Sequence, residues 1–135
     1  MGAWQLIRPA VEADIPRIVD WVERLVEAVE GPQRVCRIKT GQTLVGLIAS
    51  PDGFVAVSDH GFIAATITQT VIRPDPVAVE MGWWAERDGL SLLKAFEAWA
   101  DSKGATLKKM SCNGGMAQRI LERAGYRAAE TAMVK

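Results

Sequence analysis

The chain is 135 residues long and has 16 basic and 16 acidic side chains, so its formal net charge is zero. This length and an apolar content of 49% suit one compact domain over residues 1–135. A neutral chain has no net field that attracts nucleic acid or an anionic membrane, and no apolar run approaches the ~18 residues that span a bilayer. We therefore expect a cytoplasmic protein that binds neither nucleic acid nor membranes.

Metal binding is not expected from the composition. The chain has two cysteines, Cys36 and Cys112, and one histidine, His60, all far apart in the sequence. A structural zinc site needs about four nitrogen or sulfur ligands at characteristic spacings. We therefore predict no metal site and no disulfide, and we expect both cysteines to be buried as small apolar residues.

The N-terminal third predicts a strand followed by two helices. Residues 4–8 alternate apolar and polar side chains, as a half-buried strand does. Asp14 and Pro16 are typical of a helix start, and the Gly-Pro pair at 31–32 is typical of a helix end. Between them an apolar stripe recurs every three or four positions, at Ile15, Ile18, Val19, Val22, Leu25, Val26 and Val29. Residues 33–50 predict the second helix.

The middle of the chain predicts three strands. Residues 54–57 and 62–71 read as a hairpin, with His60 in the turn between them. A proline-rich turn then leads into a strand at residues 77–84. Simple alternation places Val77, Val79, Met81 and Trp83 on one face and Ala78, Glu80, Gly82 and Trp84 on the other. The adjacent tryptophans are therefore expected on opposite faces of the sheet, with at least one lining a cleft.

The C-terminal third predicts alternating helices and strands. Residues 89–103 form an amphipathic helix, residues 106–112 a strand and residues 116–124 a short helix, and residues 126–134 close the chain as a final strand. This order of elements predicts an α/β domain, in which a central mixed and mostly antiparallel sheet is flanked by helices.

Three segments carry a resemblance to a known family: residues 7–16, residues 92–105 and residues 113–126, the last of which ends Leu-Glu-Arg-Ala-Gly-Tyr. In this order they resemble the first strand and helix, the helix after the pyrophosphate loop, and the C-terminal helix of the GNAT N-acetyltransferase superfamily. The resemblance spans nearly the whole chain and implies the fold predicted above. It also implies transfer of an acetyl group from acetyl-CoA to an amine on a small molecule or a peptide.

The segment that corresponds to the family's pyrophosphate loop departs from the pattern Gln/Arg-x-x-Gly-x-Gly/Ala. Anchored on the following helix, Gly89 takes the last glycine position, Arg87 the first and Trp84 the basic position. In a register two residues later, Gly89 is the first glycine, Ser91 the second and Glu86 the basic position. The loop is degenerate in either register, because a phosphate cradle usually needs two or three glycines for close backbone approach.

The resemblance implies a cofactor site along residues 77–84 and the turn that follows. Met81 and Trp83 correspond to positions whose backbone holds the pantetheine arm and the acyl carbonyl. The pyrophosphate would lie at a helix N-terminus, which favours anions, over Arg87, Asp88, Gly89, Leu90 and Ser91. Asn113 corresponds to an asparagine that faces the pantetheine arm, and capping the next helix or shaping the turn at 114–115 is an equally good explanation.

Glu80 is the candidate catalytic base, because it lies on the strand that would flank the acyl group and could take the proton of the amine directly or through water. A solvated carboxylate at the sheet edge is the alternative interpretation. Many family members place a tyrosine in the last helix for the leaving thiolate, and this chain has Leu121 there, which cannot donate a proton. Tyr126 is expected to be a core aromatic residue with its hydroxyl at the surface.

Two functions are open from the sequence. The first is an acetyl-CoA-dependent N-acetyltransferase. The second is a non-catalytic GNAT-like binding or structural module that has lost cofactor binding, for example a virion-associated or assembly protein. In that case the degenerate loop and the Trp83–Trp84 pair would bind a protein partner or a second copy of the chain.

Overall fold

The computed structural model of the chain describes residues 7–135. Within that range a short 3-10 turn, Glu12–Asp14, precedes the first helix. The helices and strands are, in chain order, β1 Arg8–Pro9, α1 Ile15–Ala28, α2 Arg37–Ala49, β2 Gly53–Ser58, β3 Gly61–Thr68, β4 Val77–Ala85, α3 Gly89–Ser102, β5 Leu107–Lys109 and α4 Gly115–Arg123. No helix of the described residues is long and apolar enough to cross a membrane.

The strands form one mixed sheet in the order β1-β2-β3-β4-β5. The first three pairings are antiparallel, and β5 alone runs parallel to its neighbour β4. The predicted α/β class and the mostly antiparallel central sheet are therefore confirmed. Of the first predicted strand, residues 4–6 lie outside the described residues, and β1 covers its last residue.

Each face of the sheet is covered by helices because each carries its own apolar cluster. On one face α1 and α2 pack through Ile18, Val19, Trp21 and Leu44 against Val55, Val57, Phe62 and Ala64. On the other face α3 packs through Leu92, Leu93, Phe96 and Ala100 against Ala56, Ile63, Ala65 and Ala78, and α4 adds Leu121. Full burial of one Leu or Phe side chain stabilises the fold by ~1.5–3 kcal/mol, so these two clusters fix the helices that border the site.

The start of α1 is fixed by an ion pair rather than by the predicted helix cap. Both Asp14 oxygens bind the Arg8 guanidinium at 2.8 Å, and one also accepts the Val11 N–H at 2.8 Å. Asp14 makes no side-chain capping bond to α1 itself. The Arg8 hydrogen bonds lower the pKa of Asp14 to about 2.

Two predictions about the rest of the chain are wrong. Residues 126–134 form no strand, and all but Tyr126 are exposed. This segment is rich in alanine and charged residues, which have low strand propensity and offer no large apolar face to bury. Cys36 and Cys112 are both exposed rather than buried.

Candidate active site

The site begins where β4 and β5 stop pairing. Their parallel ladder joins Val77–Val79 to Leu107–Lys109 and goes no further. Beyond this ladder the Glu80 side chain makes the contact between the two segments, since its Oε1 accepts a hydrogen bond from the backbone N–H of Ser111 at 2.9 Å. The strands therefore separate at Glu80, and the gap between them is bridged by a carboxylate instead of by backbone.

A cavity of about 220 Å³ adjoins this separation. Its lining includes the end of α1, with Leu25, Ala28 and Val29, and Trp83 of β4. The segment 111–114 and Ala117 of α4 complete the lining. The cavity thus lies beside the point where the two strands diverge.

A β-bulge at Met81 changes the faces that alternation predicts. Gly82 lies opposite Ala64 and Glu80 lies opposite Ala65, so Met81 is an extra residue with no partner in β3. Glu80 and Trp83 therefore share the face that carries α3, whereas alternation had separated them. A bulge residue leaves its backbone groups outside the ladder, and bulges are common next to active sites. Met81 is half exposed.

The Glu80 carboxyl group has a pKa near neutral pH. Burial raises the pKa of Glu80 to about 7, and the hydrogen bond from Ser111 N–H opposes that rise by favouring the charged form. A general base works best when its pKa lies close to the working pH. Glu80 is partly buried rather than solvated at the sheet edge, which favours the catalytic interpretation over its alternative.

Trp83 and Trp84 point to opposite faces of β4, as predicted. Trp83 packs against the α3 cluster, lines the cavity and donates its indole N–H to the Gly89 carbonyl at 3.2 Å. Trp84 packs against the α1–α2 cluster, and its Nε1 is buried without an acceptor among the described residues. Both rings are partly buried, so neither offers the exposed partner surface that was one interpretation of the pair.

The start of α3 offers free backbone donors. No side chain caps the helix, and its first internal bond runs from the Leu92 N–H to the Asp88 carbonyl at 3.0 Å. The N–H groups of Gly89, Leu90 and Ser91 thus have no acceptor within the helix, and they lie at its positive end. The Gly89–Ser91 segment and the exposed Arg87 side chain are therefore placed where an anion can bind.

The acidic side chain of Asp88 disfavours the binding of an anion at the start of α3. Asp88 precedes α3 in the left-handed conformation, with φ of 68°, which favours glycine. Its Oδ2 is buried and has no hydrogen-bond partner among the described residues. The neighbouring Glu86 is held by Arg24 of α1 at 3.6 Å, so its charge is partly offset.

Asn113 does not cap the helix that follows it. Its side-chain amide donates to the Val29 carbonyl at the end of α1, at 2.9 Å. The residue that precedes α4 is Gly114, and no side chain caps that helix. Asn113 therefore ties the segment after β5 to α1, and it lines the cavity from that position.

The structure brings the predicted residues into two neighbouring groups. Glu80, Met81, Trp83 and Asn113 surround the separation of the strands, and residues 87–91 lie at the start of α3. The Trp83 hydrogen bond to Gly89 links the two groups. Sequence reasoning missed Ser111, whose role depends on its backbone N–H and leaves no side-chain signal. Gly82 was a usable signal for the bulge, because glycine inside a strand often marks one.

No tyrosine takes the place of Leu121 as a proton donor, and Leu121 itself is buried in the apolar cluster that α3 and α4 form with the sheet. The Tyr126 hydroxyl is committed to Glu97 Oε2 at 2.9 Å, and burial with this contact raises its pKa. Within residues 7–135, no group of three or more His, Cys, Asp or Glu side chains could hold a metal ion.

Comparison with solved structures identifies the fold. A transcriptional regulator from Bacillus halodurans C-125 has a TM-score of 0.79 at 17% identity, over 98% of this chain and 99% of that one. Aminoglycoside N-acetyltransferase AAC(6')-Iy in complex with CoA has a TM-score of 0.74 at 15% identity, over 98% and 93% of the two chains. Glucosamine-6-phosphate N-acetyltransferase from Arabidopsis thaliana has a TM-score of 0.74 at 12% identity, over 98% and 97%.

The chain has the GNAT fold. At these identities the shared architecture carries no statement about activity. No protein-family model matches the sequence, and no curated protein is similar to it in sequence.

Proposed function

We propose that this chain is an acyl-CoA-dependent N-acetyltransferase that moves an acetyl group to the amine of a small molecule or a peptide. The observation that carries the proposal is the separation of β4 from β5 at a partly buried carboxyl group, Glu80, beside an unpaired bulge residue, Met81. The fold supports it, since one structure with the same architecture is an acetyltransferase in complex with CoA.

The residues around the separation fit an extended acyl-pantetheine arm. Met81 is left without a partner in β3 on one side of the gap, and the segment that starts at Ser111 lies on the other. Trp83 and Asn113 line the cavity between them. The uncapped start of α3, with Arg87 beside it, would take the pyrophosphate over residues 87–91.

Acetyl-CoA supplies the acetyl group as a thioester, from which the thiolate leaves when the amine nitrogen bonds to the carbonyl carbon. Glu80 would accept a proton from the ammonium group of the acceptor, directly or through water, so that the nitrogen lone pair can attack. The Met81 N–H would hold the acyl carbonyl oxygen as negative charge develops on it. Leu121 cannot protonate the thiolate, so water or the acceptor supplies that proton.

The proposal is tested by following thiol release from acetyl-CoA with a panel of primary amines. Glu80→Gln keeps the size and the oxygen acceptor but cannot take a proton, so we expect kcat to fall by about 10²–10⁴-fold. The rate of the wild type should rise with pH through about 7, the pKa of Glu80. Glu12→Gln, which removes an exposed carboxylate far from the gap, should leave kcat unchanged.

Equal turnover by the Glu80→Gln variant and the wild type would remove Glu80 from the mechanism. Absence of turnover with every amine would leave the second candidate, a non-catalytic GNAT-like binding module. One observation favours that candidate: Asp88, whose buried Oδ2 has no hydrogen-bond partner among the described residues, lies within the segment proposed to take the cofactor's phosphates. The regulator from Bacillus halodurans shows that this architecture is not confined to proteins named as acetyltransferases.

A further inference from the structure

The bond between Glu80 and Ser111 occupies the place that a ligand arm would need. In a continued parallel ladder, the Ser111 N–H would donate to a backbone carbonyl of β4. Here it donates to the Glu80 carboxylate instead, directly after the last paired residues, Val79 and Lys109. Ser111 also lines the cavity. The Ser111 N–H is therefore already hydrogen-bonded to Glu80 when a carbonyl-bearing chain enters the gap.

The carboxylate is not anchored by a cation. Among the described residues Glu80 makes no salt bridge. The lysines on the adjacent strand are turned to other partners, since Lys108 binds Asp101 and Lys109 binds Glu130, each at 2.7 Å. A single hydrogen bond to a backbone amide is thus what the structure records as holding Glu80 across the gap.

We propose that the Glu80–Ser111 hydrogen bond is a placeholder. In the free protein it closes the gap between β4 and β5, which would be the channel for the acyl group, and the acyl donor displaces it. A carbonyl oxygen of the entering arm takes the Ser111 N–H, and the released Glu80 carboxylate becomes available to the acceptor amine. Opening the channel and freeing the base are then one event. This inference rests on the proposed function and deepens it by adding the order of binding.

The test compares two uncharged variants by calorimetric titration with acetyl-CoA. Glu80→Gln keeps an oxygen that can accept the Ser111 N–H, whereas Glu80→Ala leaves that donor free. Both lose the negative charge, so repulsion of the anionic ligand is removed equally from each. We expect Glu80→Ala to bind acetyl-CoA about tenfold more tightly than Glu80→Gln, because no placeholder bond has to break. Thermal unfolding of both variants confirms that they are folded.

A second measurement covers the case in which Glu80→Ala fails to fold. In the free wild type, the amide proton shift of Ser111 should titrate with the Glu80 carboxyl group. With saturating acetyl-CoA that titration should disappear, because the amide then donates to the ligand. Persistence of the titration in the bound state, or equal affinity of the two variants, would overturn the displacement while leaving the proposed function intact. No binding by the wild type or by either variant would overturn both.

Discussion

The two ends of the site differ in how fully their polar groups are paired. At the separation of β4 and β5, the partly buried Glu80 has the Ser111 N–H as its partner, and Asn113 bonds to the end of α1. At the turn into α3, Asp88 has a left-handed backbone and an unpartnered buried oxygen, and Arg87 is exposed. The first end is thus held by hydrogen bonds between its own residues, whereas the turn into α3 carries a left-handed non-glycine residue and a buried oxygen without a partner among the described residues.

The two ends of the site should therefore respond differently to substitution and to a ligand. Polar groups that are hydrogen-bonded to each other hold their geometry. A strained residue with an unpaired carboxylate is the kind of feature that a ligand or a partner can relieve. The four predictions that follow probe this difference between the two ends, from the largest expected effect to the smallest.

The largest difference in protein stability is expected between alanine substitutions of Gly82 and Gly89, the glycines at the two ends of the site. A Cβ at Gly82 would lie 3.1 Å from the buried Phe62 ring, whereas a Cβ at Gly89 would have its nearest neighbour at 3.7 Å. We expect Gly82→Ala to lower the free energy of unfolding by about 2–3 kcal/mol because the strand cannot yield. Gly89→Ala should change it by less than about 0.5 kcal/mol. Denaturant titration of both variants checks this, and equal losses would contradict the contrast.

The Glu80 carboxyl group should make stability depend on pH. Its pKa is about 7 in the folded protein against a reference of 4.5, so the folded state holds a proton that the unfolded chain releases. The resulting stabilisation is complete below pH 4.5 and is lost as the pH rises through about 7. Glu80→Gln stays neutral, so between pH 5 and pH 9 it should gain roughly 2 kcal/mol relative to the wild type.

Urea unfolding at both pH values measures this gain. Glu86→Gln is the matched control, because it removes an exposed carboxylate directly after β4. A difference between Glu80→Gln and the wild type that does not change with pH would show that Glu80 ionises as an exposed side chain does.

Asp88 should respond to substitution in a way that separates strain from charge. Asp88→Gly removes both the left-handed backbone cost and the carboxylate, and we expect it to stabilise the protein by about 0.5–1 kcal/mol. Asp88→Ala removes the carboxylate and keeps the backbone cost, so it should not stabilise to the same extent. Both should tighten acetyl-CoA binding about threefold or more, because negative charge leaves the phosphate position. Weaker binding by both variants would assign Asp88 a favourable contact with the ligand.

The smallest effect is expected at Arg24. Its contact with Glu86 is 3.6 Å long and both side chains are exposed, so Arg24→Gln should change stability by less than about 0.5 kcal/mol. Acetyl-CoA binding should weaken about twofold, since the Glu86 charge is then no longer offset. The double variant with Glu86→Gln should recover the lost affinity. Failure of that recovery would separate Arg24 from the charge balance of the turn.

The sequence was sufficient for the features that depend on repeated patterns. The apolar stripe of α1, the hairpin around His60 and the strand-turn-helix order at residues 77–103 all follow from periodicity and turn residues. The bulge at Met81 did not follow, because one extra residue inverts the alternation without changing the composition of the strand.

The contacts that define the site could not be read from side-chain types. The Ser111 N–H and the Val29 carbonyl are backbone groups, so nothing in their residue types marks them. The Asn113 side chain reaches across 84 positions to its partner, a separation that no local pattern encodes. The prediction of a final strand is wrong for a related reason. The side chain of Lys109 binds Glu130, but the segment around Glu130 buries no apolar surface, so no pattern of buried side chains specifies a strand there.

The most direct test of the central claim is a calorimetric titration of the wild type with acetyl-CoA, alongside Arg87→Glu. We predict micromolar binding by the wild type and a loss of about tenfold or more in the variant, ~1.4 kcal/mol, because the exchange reverses the charge beside the start of α3. Absence of heat, together with absence of thermal stabilisation at millimolar acetyl-CoA, would contradict the account and leave a GNAT fold that does not bind this cofactor.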